Sequence, residues 1–156
     1  MRRRHLVSAV VTVAVLFGNA FAAGDWKVEA LPANLPLASQ SCLTTYSFVG
    51  HMSENGVFLD ESTDDKARAN IRLGGKVFDL VLVSSKRSGK DGPDSTGPGS
   101  QSDRVFKDKT GAVVVETVVK VTAEHPEADS VEMVGSLTAK YLGKTQTVRI
   151  EGGVAC

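Results

Sequence analysis

The stretch ARANIRLGGKVFDLVLV, residues 67–83, contains two apolar-rich segments on either side of a pair of glycines. In the first segment, small or aliphatic side chains occupy every second position and alternate with Arg and Asn. This period of two predicts a β-strand with one buried face and one face in water. Gly74 and Gly75 supply the positive φ angles that a two-residue hairpin turn requires. The second segment returns as the partner strand, so the stretch predicts an antiparallel hairpin.

Segments of the same kind follow one another along most of the chain, separated by short turns and without a convincing long helix. They cover residues 42–49, 56–59, 113–121, 131–141 and 146–151. We therefore expect an all-β fold, a small antiparallel meander of about eight strands. A closed or nearly closed β-barrel is the preferred arrangement, and a β-sandwich is the alternative.

The first 22 residues have the three parts of a secretory signal peptide. A basic start at Arg2 to Arg4 precedes an apolar run from Leu6 to Phe17, and an Ala-x-Ala site ends at Ala22. The apolar run is shorter than the roughly 20 residues that a membrane-spanning helix needs. We expect cleavage after Ala22, a periplasmic or secreted protein, and no stable membrane insertion after cleavage.

The mature chain of 134 residues is the size of one domain, which we assign to residues 42–156. It carries 15 Lys and Arg residues against 18 Asp and Glu residues. Nucleic-acid partners require a basic surplus, so this balance argues against one.

The mature chain has two cysteines, Cys42 and Cys156. In an oxidising compartment, two cysteines without other partners usually form one disulfide, and two unpaired thiols are the alternative. Such a bond joins the first strand of the domain to the end of the chain. It therefore favours a barrel in which the first and last strands are neighbours.

Residues 23–41 form a short N-terminal arm that contains the only tryptophan, Trp26. Asp25 is placed to cap one or two helical turns, which Pro32 would end. We expect Trp26 to dock on the domain, where it covers an apolar edge or the mouth of the barrel. Stacking on a ligand is the alternative role of this side chain.

Residues 84–104 contain no aliphatic side chain, and we interpret them as one long mobile loop. Such a loop either recognises a partner or serves as a spacer. The candidate binding residues in it are its charged side chains: Lys86, Arg87, Lys90, Asp91, Asp94 and Arg104.

Catalytic and metal-binding patterns are not found in the sequence. His51 and His125 stand alone in predicted turns, and the acidic residues from Asp60 to Asp65 lack the spacing of a calcium loop. We expect these acidic side chains to lie in water. Because no nucleophile motif is present, we expect a protein that is not an enzyme, without catalytic residues, metal or cofactor; a hydrolase is the remaining alternative.

The closing segment from Gly135 to Gly152, with the leader and the terminal cysteine, resembles the last hairpin of small uncharacterised exported β-proteins of Gram-negative bacteria. By size, disulfide and compartment, the chain is also similar to the periplasmic inhibitors of c-type lysozyme, which are small β-barrels. Ser88-Gly89-Lys90-Asp91-Gly92 departs from the Ser-Gly-x-Gly-Ala-x-Tyr type of loop in those inhibitors. The second likeness therefore implies a common architecture and not a common partner.

These observations favour an exported, non-enzymatic binding or inhibitor-like module that contacts a protein of the envelope or of a host through the 84–104 loop or a barrel end. The alternatives are a carrier of a small apolar ligand and an envelope structural component or surface-exposed antigen. The side chains expected inside the barrel either fill it or leave room for one small ligand. They are Phe78, Leu80, Leu82, Val119, Met133, Leu137 and Tyr141. An open apolar cavity favours the carrier, and a filled barrel favours the protein-binding module.

Overall fold

The computed structural model describes residues 25–35, 42–51, 56–61, 67–89, 92 and 96–155. The predicted signal peptide and Cys156 lie outside these residues. Within them no helix is long and apolar enough to cross a membrane. The strands are β1 (Val28–Glu29), β2 (Leu43–Phe48), β3 (Phe58–Asp60), β4 (Arg68–Leu73), β5 (Lys76–Ser88), β6 (Gln101–Lys107), β7 (Val114–His125), β8 (Ser130–Tyr141) and β9 (Lys144–Ala155).

Strands β2 to β9 form a closed antiparallel barrel of eight strands, and β1 lies outside the ring. Each strand of the ring pairs with the next one along the chain, and β2 pairs with β9 to close it. The prediction of an all-β barrel in which the first and last strands are neighbours is confirmed, and the sandwich alternative is wrong.

The hairpin of residues 67–83 has the predicted register and turn. Leu73 lies opposite Lys76, and Gly74 and Gly75 both adopt positive φ angles, +55° and +82°. The alternating small and aliphatic side chains of the first segment, Ala67, Ala69, Ile71 and Leu73, are all buried in the barrel. The inward side chains of β5, β7 and β8 join them in one core, as the period of two predicts.

The seam between β2 and β9 is closed at a glycine. Gly152 lies opposite Tyr46, and a Cβ atom on Gly152 would lie 1.9 Å from the carbonyl oxygen of Thr45. No side chain fits into that space, so only glycine lets the two backbones approach this closely. The closed ring therefore depends on the residue type at this position.

The N-terminal arm contains a strand and not the predicted helical turns. Val28 and Glu29 pair with Leu73 and Arg72 of β4, beyond the end of the short strand β3. The open backbone edge of β4 is thereby paired, which accounts for the extended conformation. The prediction of helical turns was wrong because it rested on Asp25 as a capping residue, and the sequence does not show that the edge of β4 needs a partner strand.

Trp26 closes one end of the barrel, as predicted for its docking. Its indole N–H donates a hydrogen bond to the carbonyl oxygen of Tyr141 at 2.9 Å. The ring of Tyr141 lies between those of Trp26 and Phe78, with centroid distances of 6.0 Å and 5.0 Å. This aromatic group seals the end at which β4 meets β5 and β8 meets β9.

The predicted loop of residues 84–104 is too long, because both of its ends are strands. Residues 84–88 of β5 pair with residues 101–105 of β6, from Ser84 opposite Val105 to Ser88 opposite Gln101. Strand pairing needs backbone hydrogen bonds and not aliphatic side chains. The connection between the two strands is therefore residues 89–100.

Candidate functional site

A cavity of about 510 Å³ opens at the end of the barrel opposite Trp26. It lies among the ends of β5, β7 and β9 and the beginnings of β2, β6 and β8, which meet at this end of the ring. Its lining residues are Thr44, Tyr46, Arg87, Thr96, Ser100, Gln101, Ser102, Arg104, Val119, Val121, Glu124, His125, Pro126, Asp129, Ser130, Val131, Met133 and Val154. The barrel is thus filled at one end and hollow at the other.

The lining of the cavity is mostly apolar. Val119 and Met133 are buried, and Val121, Val131 and Val154 are half-buried side chains that pack against the core. A volume of this size lies within the range of small-molecule sites in proteins. The surface offered to a ligand here is an apolar pocket with a few polar groups.

An ion pair lies in the barrel wall beside this apolar surface. The guanidinium group of Arg104 on β6 donates a hydrogen bond to the carboxylate of Asp60 at the end of β3. The side chains are 10% and 2% exposed, and Arg104 also lies over the ring of Phe106, 5.2 Å from its centroid. The two opposite charges offset each other inside the protein.

Tyr46 on β2 places a phenol in the same region. Its side chain is buried, and its hydroxyl contacts the sulfur of Met133 at 3.8 Å. Burial raises the pKa of Tyr46 well above its ordinary value of 10.0; Asp60 raises it further and Arg104 opposes the shift. The hydroxyl therefore keeps its proton and remains a hydrogen-bond donor.

The mouth of the cavity is polar and is held by two turns. The backbone N–H of Gly99 donates to the carbonyl oxygen of Val121 at 2.8 Å, and the backbone N–H of Val121 donates to the carbonyl oxygen of Ser100 at 2.9 Å. On the other side, a short 3-10 turn spans Pro126–Ala128. The Nε2 atom of His125, the residue before that turn, lies 3.0 Å from a carboxylate oxygen of Glu132. Both turns thereby have defined positions at the rim.

The predicted binding residues separate into three groups in the structure. Arg87 lines the cavity from β5, and Arg104 is a buried strand residue and not a loop residue. Lys86 is on the other face of β5, opposite Asp103 of β6. The remaining candidates, Lys90, Asp91 and Asp94, lie outside the described residues. Recognition of a protein by the loop therefore stays a prediction.

Two expectations about acidic and histidine residues are wrong. Asp60 and Glu61, expected in water, are 1% and 5% exposed, while Asp64 and Asp65 of the same acidic stretch lie outside the described residues. His125 is the last residue of β7 and not a turn residue, and it contributes to the rim of the cavity. The prediction missed Asp60 because its ion-pair partner Arg104 is 44 positions away in the sequence. Among the described residues, no cluster of three or more His, Cys, Asp or Glu side chains could hold a metal ion.

The strand register brings the neighbours of the two cysteines together. Leu43, next to Cys42, lies opposite Ala155, next to Cys156 in the sequence. Cys156 itself lies outside the described residues, so the disulfide stays a prediction.

Comparisons of the chain with protein-family models, with curated proteins and with solved structures find no match.

Proposed function

We propose that this protein binds a small, largely apolar molecule in the open end of its barrel and carries it as an exported, non-enzymatic binding protein. The observation that supports this proposal is the cavity of about 510 Å³, closed at its inner end by core side chains. An eight-stranded barrel whose interior is completely filled by side chains leaves no such space. Of the functions that the sequence leaves open, the carrier is the one that requires a hollow barrel.

The composition of the cavity favours an apolar or amphipathic ligand. Apolar side chains such as Val119, Val131 and Met133 surround the space, with the buried polar side chains of Tyr46 and Arg104 among them and further polar groups at the mouth. Burial of the apolar part of a ligand provides the free energy of binding, and the few polar groups provide orientation. The predicted signal peptide, with delivery to the periplasm or the exterior, belongs to the same proposal.

The binding test uses N-phenyl-1-naphthylamine, an uncharged apolar dye whose fluorescence rises when it leaves water. We expect the mature protein to bind it and Val131→Trp to weaken binding by about tenfold or more, because the larger side chain occupies the cavity. Val134→Trp is the matched control, since Val134 is on the same strand but 42% exposed on the outer face.

The two variants make the result specific to the cavity. An unchanged affinity in Val134→Trp together with the loss in Val131→Trp supports the proposal. Absence of dye binding to the wild-type protein, or equal affinities in the two variants, contradicts it.

A further inference from the structure

The hydroxyl of Tyr46 is a strong hydrogen-bond donor placed against a weak acceptor. The residue lines the cavity and is 4% exposed, and its hydroxyl donates to the thioether sulfur of Met133 at 3.8 Å. A thioether is a poor acceptor, and buried tyrosine hydroxyls usually have a good one. A ligand oxygen in the cavity would therefore be a better partner for this hydroxyl than the sulfur.

The charges around Tyr46 restrict the kind of oxygen that fits there. Arg104 is already paired with Asp60, and Glu61, the next residue after Asp60, is also buried, so the wall beside Tyr46 does not favour a negatively charged ligand. A charged head group buried without a partner is costly. Loss of the phenol proton is also disfavoured, since the pKa of Tyr46 is raised by burial and by Asp60, which indicates that negative charge is unfavourable at this position.

We propose that the ligand is an uncharged molecule whose carbonyl or ether oxygen accepts a hydrogen bond from Tyr46. Its apolar remainder then packs against Val131 and Val154, nearer the mouth. This proposal rests on the proposed function, because it assigns a ligand class to the same cavity. It predicts weaker binding of a carboxylate or of a hydrocarbon of the same length.

The experiment compares three ten-carbon compounds as competitors of N-phenyl-1-naphthylamine at pH 8: 2-decanone, decanoate and decane. We expect 2-decanone to bind most tightly. Tyr46→Phe, which removes only the hydroxyl, should lower the affinity for 2-decanone by about threefold to tenfold, which is the effect of one hydrogen bond. The same variant should leave the affinities for decane and for the dye unchanged. Tyr141→Phe, which removes a hydroxyl in the aromatic group at the closed end of the barrel, is the control and should leave 2-decanone binding unchanged.

A second measurement does not depend on a variant. The infrared C=O stretch of bound 2-decanone should be shifted to lower frequency relative to 2-decanone dissolved in an alkane, because a carbonyl that accepts a hydrogen bond absorbs at lower frequency than one that does not. The inference is overturned if decanoate binds more tightly than 2-decanone, if Tyr46→Phe leaves 2-decanone unchanged, or if the C=O stretch does not shift. The proposed function survives those outcomes as long as the dye binds in the cavity; it fails separately if the dye does not bind.

Discussion

At the scale of single residues, the pair formed by Arg104 and Asp60 places two charges inside the barrel wall. Removal of two ions from water costs several kcal/mol each, and their attraction offsets that cost only when they stay together. Because the side chains are about one-tenth exposed or less, water can replace neither partner. The pair therefore makes each residue depend on the other.

Arg104→Met should lower the free energy of unfolding by about 3–5 kcal/mol, because it removes the cation that contacts the buried Asp60 carboxylate. The double variant Asp60→Asn, Arg104→Met removes both charges and should recover most of this loss. Urea denaturation measures both effects.

The control is Arg72→Met, which breaks a pair with Glu29 whose side chains are 38% and 37% exposed. An ion pair in contact with water contributes about 0–1 kcal/mol, so this variant should be close to wild type. Equal losses of stability in Arg72→Met and Arg104→Met would show that burial does not determine how much the Arg104 pair contributes to the free energy of unfolding.

At the scale of elements, the sequence pattern identifies strands well only where one face is apolar and the other is polar. Residues 67–73 meet that condition, and their strand was predicted. Residues 84–88 and 101–104 do not, because their inward side chains, among them Arg87 and Ser102, line the cavity and are polar. The alternation that marks a strand is lost there, so the ends of β5 and β6 were predicted as loop.

The seam between β2 and β9 is the element on which closure of the ring depends. Gly152→Ala should lower the free energy of unfolding by about 3 kcal/mol or more, because its new methyl group would overlap the carbonyl oxygen of Thr45. Gly97→Ala is the control, since a Cβ there would have its nearest contact at 3.7 Å, an ordinary distance. Thermal unfolding followed by circular dichroism compares the two; a stable Gly152→Ala barrel would contradict the argument.

At the scale of the whole molecule, strand order was predictable and the cavity was not. Short turns force neighbouring strands to pair, so a meander of eight strands has few ways to close. The cavity depends on which end of the barrel is filled. Trp26 and Tyr141 meet at the closed end although 115 positions separate them in the sequence. A local pattern of residues does not indicate contacts between positions so far apart. The candidate site therefore required the structure.

The disulfide predicted between Cys42 and Cys156 would fasten the ring at the same seam. Leu43 and Ala155, the neighbours of the two cysteines in the sequence, lie opposite each other in β2 and β9. A bond that closes a loop of more than a hundred residues stabilises a protein by about 4–5 kcal/mol in the chain-entropy model. We therefore expect the oxidised protein to be more stable than the reduced protein by an amount of this order.

Mass spectrometry of non-reduced protein from an exporting host should show one crosslinked peptide that contains Cys42 and Cys156. The double variant Cys42→Ala, Cys156→Ala should unfold at the same urea concentration as reduced wild-type protein, because both lack the bond and keep the strand pairing of β2 with β9. Two free thiols in exported protein would contradict the disulfide. They would leave the barrel intact, since its closure at this seam rests on backbone hydrogen bonds and on Gly152.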